Sequence, residues 1–197
     1  MPNPARRRIG LLGGTFDPPH LGHLAAARAA RAQLGLDQVL FLVANDPWQK
    51  SGDRAVTPAG IRLEMARALV DGEDRMGVDD REIRRGGPTY TADTLEELVR
   101  ECPDTDFFLI VGADTAGRIH TWQRPERVRA LSTLVVVNRD PGTFDADDDT
   151  LVVSMSPVDV SSSAIRARVA QGEPVDHLTT AAVVRVIGQH SLYRVAS

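Results

Sequence analysis

The chain has 197 residues, which at roughly 150 residues per domain predicts one domain and no second full one. Hydrophobic residues make up 42% and charged residues 25%, the balance of a soluble globular domain whose core needs no disulfide or metal staple. With 23 Lys+Arg against 27 Asp+Glu the formal net charge is −4, which argues against a general nucleic-acid binder but leaves room for a small basic pocket.

Residues 1–7 form a basic tail whose following apolar run is too short for a signal peptide. No apolar run approaches about 18 residues, so no membrane span is expected. Cys102 is the single cysteine and has no intrachain partner. Together these predict a soluble cytoplasmic protein.

Ile9–Leu12 is a short apolar run ending in Gly13-Gly14, the pattern of a buried strand and its turn. Leu21–Leu34 is rich in Ala, Arg and Leu, which predicts a helix stopped by Gly35. Val39–Val43 is a second buried strand. Thr57 as N-cap and Pro58 at the first helical position predict a helix with Ile61, Met65 and Leu69 on one face. Thr91–Cys102 predicts another, with Leu95, Leu98 and Val99 inward. Phe107–Val111 and Thr133–Val137 are a third and fourth strand, and Leu151–Val153 a weaker fifth. Asp145–Asp149 reads as a solvated acidic loop. Ser161–Ala170 and Thr180–His190 close the chain as helices. Fully apolar strands separated by helices predict an α/β fold, a single doubly wound parallel sheet with helices on both faces. In such folds ligands sit at the carboxyl ends of the strands, so the residues after each apolar run are where chemistry is expected.

The run after the first strand is Gly13-Gly14-Thr15-Phe16-Asp17-Pro18-Pro19-His20-Leu21-Gly22-His23. Two glycines permit a sharp turn and close approach to a ligand. Thr15 adds a hydroxyl. His20 and His23, three apart at the first turn of a helix, can point the same way, and Gly22 leaves space between them. Open N–H groups and the dipole at the helix N-terminus favour a phosphate. The string is neither a Walker A loop nor a dinucleotide fingerprint. Taken alone it also fits a glycine turn before two solvent-facing histidines. A zinc site would need further ligands that His120, His177 and His190 do not supply in spacing.

As a whole the string resembles the GTFDPxHxGH signature of the HxGH nucleotidyltransferases. These are Rossmann-like enzymes that join a nucleoside monophosphate unit to a phosphate acceptor. The resemblance implies that His20 and His23 hold the nucleotide phosphates and stabilise charge developing at the α-phosphate, with Gly13, Gly14, Thr15 and Phe16 in the ATP-binding loop. Ser161-Ser162-Ser163-Ala164-Ile165-Arg166 caps a helix with serines, which alone fits an N-cap beside a surface arginine. It is similar to the ISSTxIR motif of the same group, with Ser163 where Thr is usual. That implies phosphate binding by Ser162 and Ser163 and a catalytic role for Arg166, whose fork matches phosphate geometry.

The middle of the chain resembles the segments that distinguish the nicotinate mononucleotide adenylyltransferases. These are Arg85–Leu95 (RGGPTYTADTL), Ile110–Asp114 (IVGAD) followed by His120-Thr121-Trp122, and Gln49-Lys50 after Pro47-Trp48. His190–Tyr193 matches the usual ending. The resemblance implies transfer of AMP from ATP to nicotinate mononucleotide, with Mg²⁺ carried by ATP. Thr89, Tyr90 and Trp122 are expected at the mononucleotide, Trp122 by stacking on the ring. Gly112, Asp114 and Lys50 are expected at ATP. No nucleic acid, membrane or resident protein-bound metal is expected; a homo-oligomer is left open. Three places depart from the family pattern: Asn138–Gly142 carries an extra Asp, Leu178-Thr179-Thr180 replaces a proline-containing helix start, and Val43-Ala44-Asn45 lacks a usual proline. They leave open another acceptor, such as nicotinamide mononucleotide, phosphopantetheine or a specialised metabolite phosphate. A non-catalytic nucleotide sensor and a metal hydrolase built on the two histidines are the readings from other classes.

Overall fold

The computed structural model describes residues 6–47, 55–138 and 149–194. Six strands run in chain order: β1 (Arg7–Gly14), β2 (Gln38–Val43), β3 (Met76–Asp79), β4 (Thr105–Gly112), β5 (Thr133–Asn138) and β6 (Thr150–Ser154). The helices are α1 (Leu21–Leu34), α2 (Ala59–Val70), α3 (Arg81–Arg85), α4 (Thr91–Glu101), α5 (Ala113–Ala116), α6 (Pro125–Leu131), α7 (Ser162–Ala170) and α8 (Ala181–Gln189). The strands form a single parallel sheet in the order β3-β2-β1-β4-β5-β6, the doubly wound arrangement expected. None of the described helices is long and apolar enough to cross a membrane.

The chain divides into two compact units. The first comprises Met1–Gly13, Ala26–Leu40 and Tyr90–Pro157. In it β4 pairs with β5 so that Leu109 faces Leu134 and Ile110 faces Val135, all at most 5% exposed. Gly10 is a packing requirement: a Cβ there would lie 2.8 Å from Leu36 Cδ1 and 2.9 Å from Ile110 Cδ1. Leu95 and Leu98 of α4 are buried as the helical spacing predicts, whereas Val99 is half-buried.

The second unit comprises Gly14–Ala25, Phe41–Thr89 and Val158–Ser197. There α2 packs on α8, and Met65, Leu69, Val183 and Ile187 are buried. Two expectations are corrected in this unit. The helix predicted from Thr57 begins at Ala59 with Pro58 at the cap position, because Pro58 keeps an extended ψ of 140° and its carbonyl accepts the first helical N–H of Arg62. Its buried face includes Arg62, 1% exposed, where the spacing put Ile61, which is half-buried. The sixth strand, β3, carries no apolar run; Met-Gly-Val-Asp is half-buried throughout and sits at the sheet edge. The serine cap of α7 is as expected, and the last helix starts at Ala181 with Thr180 as its cap. Ser161 Oγ accepts from Ala164 N at 3.1 Å and Thr180 Oγ1 from Val183 N at 3.3 Å.

Candidate active site

The loop after β1 folds back on itself. Phe16 takes a left-handed backbone (φ 52°), and its ring covers Gly14, where a Cβ would stand 2.9 Å from the ring. That ring is buried, edge-on to His23 at 5.1 Å and tilted on Phe41 at 5.6 Å. It is therefore a wall for His23. Thr15 is buried as well, whereas Gly13 is exposed.

His20 and His23 do point the same way: their rings stack at 3.7 Å between centroids and 29° between planes. They are not two solvent-facing side chains, since His20 is 6% exposed. The His20 backbone N–H donates to His23 Nδ1 at 3.1 Å. An imidazole nitrogen that accepts carries no proton, so this bond leaves Nε2 of His23 as the N–H donor. Gly22 is required here, because a Cβ would meet the His20 ring at 3.1 Å and Val160 at 3.2 Å. One detail of the expected phosphate cradle changes: the Leu21 N–H at the start of α1 is taken by the Leu178 carbonyl at 3.0 Å.

The first turn of α7 is fastened to the same loop. Ser162 Oγ donates to the Pro18 carbonyl at 2.8 Å, and Arg166 Nη1 donates to the Asp17 carbonyl at 2.8 Å. Arg166 Nη2 also donates to Ser163 Oγ at 3.0 Å, which leaves the Ser163 hydroxyl hydrogen able to donate elsewhere. The Ser162 hydroxyl hydrogen is committed to Pro18, so a phosphate at this turn would be met by main-chain N–H groups and not by that hydroxyl. Thr179 Oγ1 donates to the Pro19 carbonyl at 2.9 Å. The departure Leu178-Thr179-Thr180 thus supplies two fastenings of the loop and the cap of α8.

Asp17 is 2% exposed, and its carboxylate accepts from Tyr193 OH at 2.6 Å as well as from Thr57 N. Burial, reinforced by that bond to Asp17, raises the Tyr193 phenol far above its ordinary value. Arg62, in the same unit, makes four bonds to carbonyls. Nε reaches Thr57 O at 2.7 Å, Nη1 reaches Thr15 O at 2.8 Å and Ala44 O at 2.6 Å, and Nη2 reaches Asn45 O at 2.8 Å. Burial lowers its pKa, opposed chiefly by the charge of Asp17, yet an arginine in this setting stays protonated. Asn45 in turn gives its backbone N–H to Thr89 Oγ1 at 3.0 Å and its side-chain N–H to Gly87 O at 2.9 Å. Gly86 and Gly87 both have positive φ, 73° and 67°, as the Gly-Gly turn before Thr89 implied.

Of the first-unit residues singled out by sequence, two are exposed and two half-buried. Gly112 is exposed at the carboxyl end of β4, and a Cβ there would touch nothing within 4 Å. Asp114 is exposed in the first turn of α5, whose cap residue is Gly112. Trp122 is half-buried and follows a 3-10 turn, Ile119–Thr121; Tyr90 is half-buried at the cap of α4. Arg124, at the cap of α6 in a left-handed conformation, is ion-paired with Asp93 and Glu96 of α4. Glu96 is held below the usual carboxylate range by Arg127 and Arg124. Trp48, Gln49, Lys50, Arg139–Gly142 and Asp145–Asp148 lie outside the described residues. Among the described residues no group of three His, Cys, Asp or Glu side chains is placed to hold a metal ion.

The profile of the cytidylyltransferase-like family matches residues 11–168. A protein of Dehalococcoides mccartyi named "probable nicotinate-nucleotide adenylyltransferase" is 38% identical, the match covering 94% of this chain and 97% of that one. One of the same name from Bordetella petrii is 39% identical over 95% of this chain and 100% of its own. The chain belongs to the nicotinate-nucleotide adenylyltransferase family. Among solved structures, the fold matches a Plasmodium falciparum nicotinic acid mononucleotide adenylyltransferase. Its complex with APC aligns at TM-score 0.75 and 16% identity, covering 95% of this chain and 97% of that one. Its complex with NaAD aligns at TM-score 0.75 and 17% identity, with the same coverage.

Asp17, Arg62 and Tyr193 form the polar framework of the loop, and none was singled out as functional. Asp17 stands inside the recognised string, and Tyr193 inside the recognised ending, so both were visible. Arg62 was not: an arginine at a core-facing position of a predicted amphipathic helix was the one available signal.

Proposed function

We propose that the chain transfers AMP from ATP to the 5′-phosphate of nicotinate mononucleotide, giving nicotinate adenine dinucleotide and pyrophosphate for NAD synthesis. An oxygen of the mononucleotide phosphate attacks the α-phosphorus, a P–O bond forms, and the bond to the β-phosphate oxygen breaks with its electrons leaving on pyrophosphate. The observation that carries this reading is the stacked His20–His23 pair on the loop whose Asp17 carbonyl also receives Arg166 from the start of α7. Such transfers depend on fixed charge and position more than on covalent catalysis.

In this reading His23 Nε2–H and Arg166 face charge growing on the α-phosphate and the leaving pyrophosphate. His20 supports the His23 ring. Gly13 and Gly14 let the backbone approach, and the start of α7 around Ser162 and Ser163 receives the triphosphate. Thr89 sits at the mononucleotide, and Tyr90 and Trp122 contribute to its recognition, with Gly112 and Asp114 at ribose or phosphate. Thr15 and Phe16 act through their backbone and as walls. Lys50 is retained as a phosphate contact on the resemblance alone. The donor set of imidazole and guanidinium suits anions and not a hard cation, so Mg²⁺ belongs with the triphosphate, which supplies it with oxygen ligands. There it neutralises phosphate charge. Substrates of this kind are freely soluble, which supports a cytoplasmic enzyme.

The test is pyrophosphate release with ATP and Mg²⁺, comparing nicotinate and nicotinamide mononucleotides side by side. The acid is expected to be turned over and the amide poorly. Release with the amide alone would move the acceptor, and release with neither would leave a nucleotide-binding protein without this activity.

A further inference from the structure

We infer that Arg62 is a positioning residue for the transfer, setting the distance between the loop that holds ATP and the segment that holds the mononucleotide. The inference rests on the proposed function above. Arg62 is 1% exposed and all three of its guanidinium nitrogens are spent on carbonyls, so it acts through the backbone it binds. The four carbonyls it collects come from three places: Thr15 after β1, Ala44 and Asn45 after β2, and Thr57 before α2. Carbonyl oxygens repel one another when they converge in a dry interior, and a planar fork with several N–H groups is the side chain that can bind them together.

The two ends of this arrangement matter for function. Thr15 is two residues before Asp17, whose carbonyl receives Arg166 and whose carboxylate receives Tyr193. Asn45 carries the connection outward, because its own N–H groups hold Thr89 Oγ1 and the Gly87 carbonyl. Thr89 N also donates to the Asp46 carbonyl at 3.2 Å. Arg62, Asn45, Asp46 and Thr57 border a cavity of about 320 Å³. One buried cation therefore connects the backbone of the histidine loop to the backbone of the Gly-Gly-Pro-Thr turn. A shift of about 1 Å between reacting groups is enough to cost on the order of a hundredfold in rate.

The experiment is steady-state kinetics on the full-length Arg62→Lys variant, with melting temperature measured on the same preparation. Lysine keeps the charge but offers three N–H groups from one point and cannot reach four carbonyls. The expected result is a kcat at least about tenfold lower, with KM for ATP within about threefold of wild type. In Arg62→Ala, millimolar guanidinium should restore part of kcat, and methylammonium, a point cation, should not. A folded Arg62→Lys with kcat within about twofold of wild type would overturn the inference, whatever its melting temperature. If Arg62→Lys does not fold, the question passes to Asn45→Ala, which cuts the bond to Gly87 at an accessible position. A lower kcat there supports the connection, and unchanged kinetics overturns it. Wild type in the same assay separates the two claims. An inactive wild type removes the proposed function and this inference together; an active wild type beside an equally active Arg62→Lys removes only the latter.

Discussion

From Asp17 to His23, the second unit's loop is fastened at nearly every residue. Asp17 holds Tyr193, Thr57 and Arg166; Pro18 holds Ser162; Pro19 holds Thr179; Leu21 holds Leu178; and His20 bonds His23. From Gly112 to Trp122 the first unit shows the reverse. Gly112, Asp114 and His120 are exposed, α5 spans four residues, and the local bonds run within the segment. Under the proposed function the difference follows from what each region would have to do. Charge stabilisation works only if the donors are in place before charge appears, since reorganising them costs free energy at the moment of reaction. Selecting an acceptor by stacking and a few hydrogen bonds tolerates an open, loop-borne surface.

If this contrast is right, substitutions in the fastened loop lower turnover and substitutions in the open segment weaken binding. The largest effect is expected for His23→Ala, with kcat down by about a hundredfold or more in pyrophosphate release. A kcat within about threefold of wild type would remove the catalytic role. Next is Gly22→Ala. Its Cβ would enter at 3.1 Å from the His20 ring, so the stacked pair must move, and kcat is expected to fall by roughly tenfold while the melting temperature changes little. Trp122→Ala should do the opposite, raising KM for the mononucleotide by about three- to tenfold, as expected for loss of an aromatic stack, and leaving kcat and KM for ATP close to wild type. Equal weakening of both substrates would break the contrast.

The smallest effect is on stability at high pH. The Tyr193 phenol is held neutral in the folded protein by burial and by its bond to Asp17, so its folded pKa lies above the unfolded one of about 10. A raised pKa contributes stability that is complete below the unfolded value and is lost as pH rises above it, because there the unfolded chain ionises and the folded one does not. Wild type should therefore lose melting temperature above about pH 10, and Tyr193→Phe should lose less over the same interval. Parallel curves for the two proteins would show that the phenol is not held this way.

The strands were legible because buried parallel strands are apolar throughout, as in β4 and β5, and α1 matches its predicted span from end to end. β3 and α6 were not: four half-buried residues at a sheet edge and seven residues after an αL arginine leave no periodic trace. Of the candidate site, the histidine pair and the serine cap could be read from spacing and resemblance. The bonds that fix them could not, since they join residues as far apart as Asp17 and Tyr193, or Pro19 and Thr179. Arg62 shows the physical reason. A polar side chain at an inward position looks like an error in an amphipathic pattern until the carbonyls it binds are in view.

Direct attack on the α-phosphorus, with the histidines holding charge and forming no bond to the adenylyl group, is the central claim, and stereochemistry at phosphorus tests it. With a single diastereomer of an α-thio analogue of ATP and nicotinate mononucleotide, one in-line displacement predicts a dinucleotide of inverted configuration at that phosphorus. Retention of configuration would mean two displacements through a covalent nucleotidyl-enzyme, and would contradict a purely electrostatic role for His20 and His23.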